Sequence, residues 1–172
     1  MGQRQSVAFD HAGRVACITL NRPAEGNAIN DLMLQELTDT LEEAERDEEV
    51  WVVLLGGAGA NFCRGRDWGA SGTDAVRPPQ RAERPFMGEY YEYTEKIRNW
   101  WMWLWNFTKP IVTKVQGDAT GWGADLVLVS HTSIAARSAR IGDPSILMGL
   151  VTQNPIWSWR VGPQRARQCL ML

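Results

Sequence analysis

An α/β fold is predicted by three features of the 172-residue sequence. Val15 to Leu20 alternates in hydropathy and is rich in β-formers, the mark of a strand. Leu34, Leu37, Leu41 and Ala44 recur at three- and four-residue steps, one face of an amphipathic helix. Val50 to Leu55 is a short continuous apolar run closed by glycines, which suits a strand covered on both faces. Strand, helix and strand at these lengths predict a right-handed β-α-β crossover.

The remaining elements follow in order. Asn21-Arg22-Pro23 and Glu25-Gly26-Asn27 break the first strand into a turn, and Asn30 or Asp31 caps the helix. The acidic run from Glu42 to Glu49 reads as a solvated helix end. Gly56 to Gly72 is a glycine-rich loop with a functional look, carrying Arg64-Gly65-Arg66-Asp67-Trp68. Thr73 to Pro85, with three prolines and three arginines, predicts an exposed excursion. A helix is predicted from Gly88 to Asn106, with Ile97, Trp101, Leu104 and Trp105 in one stripe and Trp100 and Trp103 directed elsewhere. Its tryptophans suit a core plus a subunit contact. Pro110 stops it, and Ile111 to Val115 is the next strand. Gly117 to Gly123 then leads into a helix from Ala124 to Val129, Ser133 to Ala136 is strand-like, Gly142-Asp143-Pro144 opens a turn, and Pro163 begins a last helix to Met171.

Composition excludes several function classes. Hydrophobic residues at 44% and charged residues at 22% suit one soluble globular domain or slightly more. A net charge of −2 offers no general attraction to nucleic acid or an anionic membrane. No apolar run approaches a membrane span or a signal peptide, and Cys17, Cys63 and Cys169 match neither a disulfide framework nor a zinc spacing, so a cytoplasmic protein with reduced thiols and no metal is expected. Gly56, Gly57 and Gly59 lack the third glycine of a dinucleotide fingerprint, with Phe62 in its place. No P-loop, zinc-protease helix or nucleophile elbow is present. His11 and His131 read as surface or packing residues.

Two glycine-flanked segments remain, each following a strand: Arg64-Gly65-Arg66-Asp67 and Gly121-Trp122-Gly123-Ala124-Asp125. Both can leave backbone N–H groups free, and two such donors converging on one carbonyl oxygen make an oxyanion hole. Asp125 then lies about one helical turn beyond Gly121.

The chain resembles the crotonase superfamily, the enoyl-CoA hydratase/isomerase group. Six segments carry the resemblance in family order: Ile18 to Pro23 with Asn27-Ala28, Asn61 to Asp67, Lys109 to Val112, Gln116 to Asp125, Ile141 to Pro144 with Met148-Gly149, and Val161 to Ala166. The resemblance implies a crotonase-like spiral of β-β-α units, coenzyme A thioesters as substrates, no separate cofactor, and a thioester enolate held by the N–H groups of Arg66 and Trp122. By the same resemblance Arg22, Ala24, Ala28, Arg64, Gly65, Asp67 and Trp68 fall where the family wraps the CoA moiety.

The family's two acid–base glutamates fall on Asp125 and Ser145, at the family spacing, so both positions carry a changed residue. Serine is no unassisted base near neutral pH, which predicts weakened hydration and favours isomerisation or related proton transfer through Asp125. Asp143, two residues before Ser145, either substitutes as the second carboxylate or caps the local turn. Trp122 replaces a family glycine, so backbone strain is expected there, with its indole filling part of the acyl pocket. The Arg66 side chain is expected to reach solvent or a CoA phosphate.

The resemblance also predicts that 1–172 is a core domain stopping before the family's C-terminal helical region, and that it associates as a trimer or hexamer. Two alternatives stand beside the isomerase reading. One is a catalytically degenerate protein that binds acyl-CoA or a protein partner. The other is a C–C bond hydrolase or decarboxylase of the same superfamily.

Overall fold

The computed structural model describes residues 4–67, 87–148 and 155–171. Trp68 and the predicted excursion at 73–85 lie outside them. Strand β1 (Val7–Ala12) runs antiparallel to β2 (Val15–Leu20), and β3 (Val52–Gly57), β4 (Ile111–Val115) and β6 (Thr132–Ala135) extend the sheet in parallel, in the order β1-β2-β3-β4-β6. A second sheet pairs β5 (Asp118–Thr120) with β7 (Arg140–Gly142). The expected α/β class and the β2-α-β3 unit are therefore present, with β3 displaced two residues from the predicted run. Val50 is buried, whereas Trp51 is 62% exposed.

Helix α1 (Asp31–Arg46) buries Met33, Leu37, Leu41 and Ala44 in one cluster with Ala16, Ile18 and Leu20 from β2. Asn30 is its cap, accepting from the Met33 N–H at 2.8 Å. At the other end the Lys109 ammonium donates to the carbonyls of Ala44 at 2.8 Å and Asp47 at 2.5 Å. A cation there meets the negative end of the helix dipole and satisfies carbonyls without helical partners.

Helix α2 (Met87–Trp105) meets α1 through Trp100. Trp101 and Leu104 are buried, as the predicted stripe requires. Trp100 and Trp103 also pack against the core, and the Trp100 indole N–H donates to the Thr38 hydroxyl at 2.8 Å. The tryptophans thus serve intramolecular packing on more sides than the stripe alone implied.

Helices α3 (Trp122–Val129), α4 (Ile156–Val161) and α5 (Pro163–Met171) complete the described chain. α3 is buried over most of its surface and packs against α4, where Trp157 meets Ala124 and Ala166. Four elements carry little sequence signal. β1 buries only Val7 and so lacks an apolar rhythm. β5 and β7 are three residues each. α4 is six residues long, too short to show a period.

Candidate active site

Two chain segments meet at the end of the sheet. After β3 the chain runs between the turn that precedes α1 and strand β5. Ile29 N–H donates to Gly65 O at 2.8 Å and Asp67 N–H to Ile29 O at 2.9 Å, while Cys63 N–H donates to Asp118 O and Thr120 N–H to Cys63 O, both at 3.0 Å. In a parallel bridge the flanking residues supply the bonds, so the N–H of Arg66 faces away from Ile29. Trp122 opens α3, where the first N–H groups have no intrahelical acceptor. Neither the Arg66 nor the Trp122 N–H has an acceptor among the described residues.

Gly65 brings the two groups together. A Cβ at Gly65 would lie 3.0 Å from Thr120 O and 3.7 Å from Trp122 N, and its φ of +99° is one that side chains rarely tolerate. The left-handed turn before α3 falls on Gly121, with φ +53°, and Trp122 itself has an ordinary negative φ. The strain expected at Trp122 is therefore absent, because the preceding glycine absorbs the turn.

The Arg66 side chain corrects a second expectation. It reaches neither solvent nor an outer phosphate position: its side chain is 2% exposed and forms an ion pair with Asp31. Nη1 donates to Ile29 O at 3.0 Å, and the guanidinium lies 5.1 Å from the centroid of the Trp122 ring. Trp122 in turn meets Trp101 of α2 edge to face, with centroids 5.8 Å apart. Nε of Arg66 is buried without a hydrogen-bond partner among the described residues.

Three side chains were expected to carry acid–base chemistry. Asp125 lies in the first turn of α3, 5% exposed, and its Oδ1 accepts from the Trp157 indole N–H at 3.0 Å. Asp143 follows β7 directly and is also buried. Its Oδ1 accepts from the Ser145 N–H at 3.0 Å and from the Ser145 hydroxyl. A Cβ at Gly121 would lie 4.0 Å from that same oxygen, so Asp143 adjoins the turn that presents the Trp122 N–H.

The described residues expected to wrap CoA fall on two segments, the turn at 22–28 and the loop after β3. Arg22 donates through Nη1 to Ala28 O at 2.6 Å and through Nη2 to Asp67 Oδ2 at 3.0 Å, tying the turn to the loop after β3. Ala24 is exposed and Ala28 partly so. The Arg64 side chain is 61% exposed and lies 3.7 Å from Asp118, which also pairs with Arg140.

A model of the enoyl-CoA hydratase/isomerase family matches residues 10–172. The chain belongs to that family. It is 36% identical over 139 residues to a 1,2-epoxyphenylacetyl-CoA isomerase of Escherichia coli K12, covering 80% of this chain and 50% of that protein. It is 31% identical over 138 residues to a 2,3-dehydroadipyl-CoA hydratase of the same organism, covering 80% of this chain and 49% of that one. The crystal structure of an enoyl-CoA hydratase/isomerase from Xanthobacter autotrophicus Py2 superposes with a TM-score of 0.86 at 28% identity, covering 99% of this chain and 60% of that one. The chain spans about half the length of the curated relatives it matches. The crotonase fold read from the six segments is thus the fold of this family.

Two residues that brace the candidate site were given no role of their own from sequence, although Asn27 stands in one of the segments that carry the resemblance. Asn27 is buried with φ +56°; its Oδ1 accepts from Arg22 N–H at 2.9 Å, and its Nδ2 donates to Ala58 O at 2.9 Å and Asn61 O at 2.8 Å. An asparagine in a turn beside glycine was the available signal. Trp157 had none, since its partner Asp125 is 32 residues away. Cys63 is buried beside the loop, and burial pushes its thiol up to about 12, so it is no nucleophile. His131 is exposed and accepts from the Ile111 N–H at 3.0 Å. No group of three potential metal ligands exists among the described residues, and no described helix is long and apolar enough to cross a membrane.

Proposed function

We propose that the protein processes acyl-CoA thioesters by proton transfer, isomerisation in preference to hydration, through an enolate whose oxygen is bound by the N–H groups of Arg66 and Trp122. The observation that carries this reading is the pair of N–H groups on adjoining segments that have no acceptor among the described residues, with Gly65 packed against Trp122 N. Two preorganised donors stabilise negative charge where it develops, at about 10²–10³ in rate for each donor. Family membership supports the thioester substrate.

In this reading Asp125 exchanges a proton with the carbon next to the thioester. Arg22, Ala24, Ala28, Arg64, Gly65 and Asp67 surround the CoA moiety, with the exposed Arg64 meeting phosphate. The protein acts as a homo-oligomer in the cytoplasm. A panel of enoyl-CoA, dienoyl-CoA and β-diketone substrates tests the reaction class, the β-diketones reporting on C–C bond hydrolysis. Asp125→Asn is expected to lower turnover by about 10²–10⁴, and unchanged turnover removes its proposed role.

A second reading, acyl-CoA binding without catalysis, draws on Ser145 at a position where the family places a glutamate. Calorimetry with a non-reactive acyl-CoA analogue separates the two: binding without turnover of any panel member supports it. Absence of CoA affinity sinks both.

A further inference from the structure

We propose that Asp143 is the second proton-transfer group of the site and that Ser145 is its positioning residue, an aspartate–serine couple in place of a single carboxylate at position 145. This rests on the acyl-CoA reading above. Asp143 is 8% exposed and is fixed on both sides. β7, which ends just before it, is held to β5 by the Thr120–Gly142 pairing, and Gly121 N–H donates to Gly142 O at 3.0 Å. Its Oδ1 takes both the N–H and the hydroxyl of Ser145, while Oδ2 has no hydrogen-bond partner among the described residues. Both donors fall on one oxygen, which leaves the lone pairs of the other for an incoming proton. The same geometry removes Ser145 as a base: its hydroxyl proton is committed to Asp143, and a neutral alcohol draws no proton from carbon.

Asp125 and Asp143 reach the Gly121–Trp122 turn from different elements, one from the first turn of α3 and one from the end of β7. Such a pair suits an allylic proton shift. One carboxylate removes a proton from the carbon next to the thioester: the C–H bond breaks, an O–H bond forms, and the electron pair passes to the thioester oxygen. The other returns a proton two carbons along the chain, the pair flowing back from oxygen to make the new C–H bond. The couple carries one proton, taken from water at the start and redistributed through water at the end, so no oxidant or reductant is needed. Asp125 serves the near carbon and Asp143 Oδ2 the far one.

The test follows deuterium incorporation from heavy water into a short 3-enoyl-CoA and its 2-enoyl isomer by mass spectrometry and NMR. Wild type is expected to label both carbons. Asp143→Asn keeps an acceptor for the Ser145 N–H and is expected to keep exchange at the near carbon while losing far-carbon exchange and isomerisation by about 10²–10⁴. Ser145→Ala is expected to slow far-carbon exchange about tenfold, as loss of one hydrogen bond to a charged group does, and Ser145→Thr to restore it. If Asp143→Asn fails to fold, the contrast between Ser145→Ala and Ser145→Thr carries the test. Unchanged far-carbon exchange in Asp143→Asn, or no difference between the two Ser145 variants, overturns the couple alone. Wild type with no exchange at either carbon overturns the acyl-CoA reading together with it.

Discussion

The Arg66 guanidinium stacks over the Trp122 ring at 5.1 Å, joining by their side chains the two residues whose main-chain N–H groups have no acceptor among the described residues. The loop after β3 and the start of α3 are thereby fixed to each other twice, once through Gly65 and once through this cation–π contact. Arg66→Ala keeps its N–H but loses the contact, the bond to Ile29 O and the ion pair with Asp31. Removal of Nε, which has no partner among the described residues, offsets part of that loss. We expect destabilisation of about 1–3 kcal/mol in urea unfolding, and Arg66→Lys to fall short of wild type because an ammonium lacks the planar fork.

Asn27→Ala removes one acceptor and two donor contacts from a buried position with positive φ. The carbonyls of Ala58 and Asn61 lose their side-chain donor. A cost of about 2–4 kcal/mol is expected, visible as a lowered midpoint in thermal or urea unfolding. Asn27→Gly, which relieves the backbone strain, should cost less than the alanine variant.

Gly123 is one of the described positions, with Gly117, where a side chain would run into main chain. A Cβ there would lie 2.1 Å from Cys63 O, a main-chain atom that cannot swing away. Gly123→Ala is expected to cost at or beyond the upper end of the about 1–3 kcal/mol typical of overpacking, with loss of soluble yield or of a cooperative melt as the readout.

Cys63 makes a prediction about pH. Its thiol is raised from 9.0 to about 12 by burial, so the folded state holds a proton that the unfolded chain releases. Its contribution to stability is full below pH 9 and declines as pH rises from about 9 toward 12. Cys63→Ser or Cys63→Ala should flatten that decline in urea unfolding at several pH values. For the same reason a thiol reagent at pH 8 should label exposed Cys169 first and Cys63 only on unfolding.

Trp157→Phe keeps the aromatic packing against Ala124 and Ala166 but removes the N–H that meets Asp125. Loss of about 1–2 kcal/mol in unfolding free energy is expected, together with a lower turnover number if Asp125 acts as proposed.

The sequence by itself determined the α/β class, helix α1 with its apolar face, the tryptophan helix, and the two glycine-flanked segments. Each is a local matter, governed by periodicity, turn residues and caps within a few positions. The resemblance of six segments added the family. Tertiary structure alone decided what those segments do to one another. Arg66 turns inward because Asp31, Ile29 and Trp122 surround it, and they come from two distant elements. Trp122 escapes strain because Gly121 takes the positive φ, and Asp143 stands beside that turn because β5 pairs with β7. The three-residue strands that hold this arrangement bury too little of their own length to show a pattern in sequence. They exist because hydrogen bonds from residues some twenty positions apart complete them.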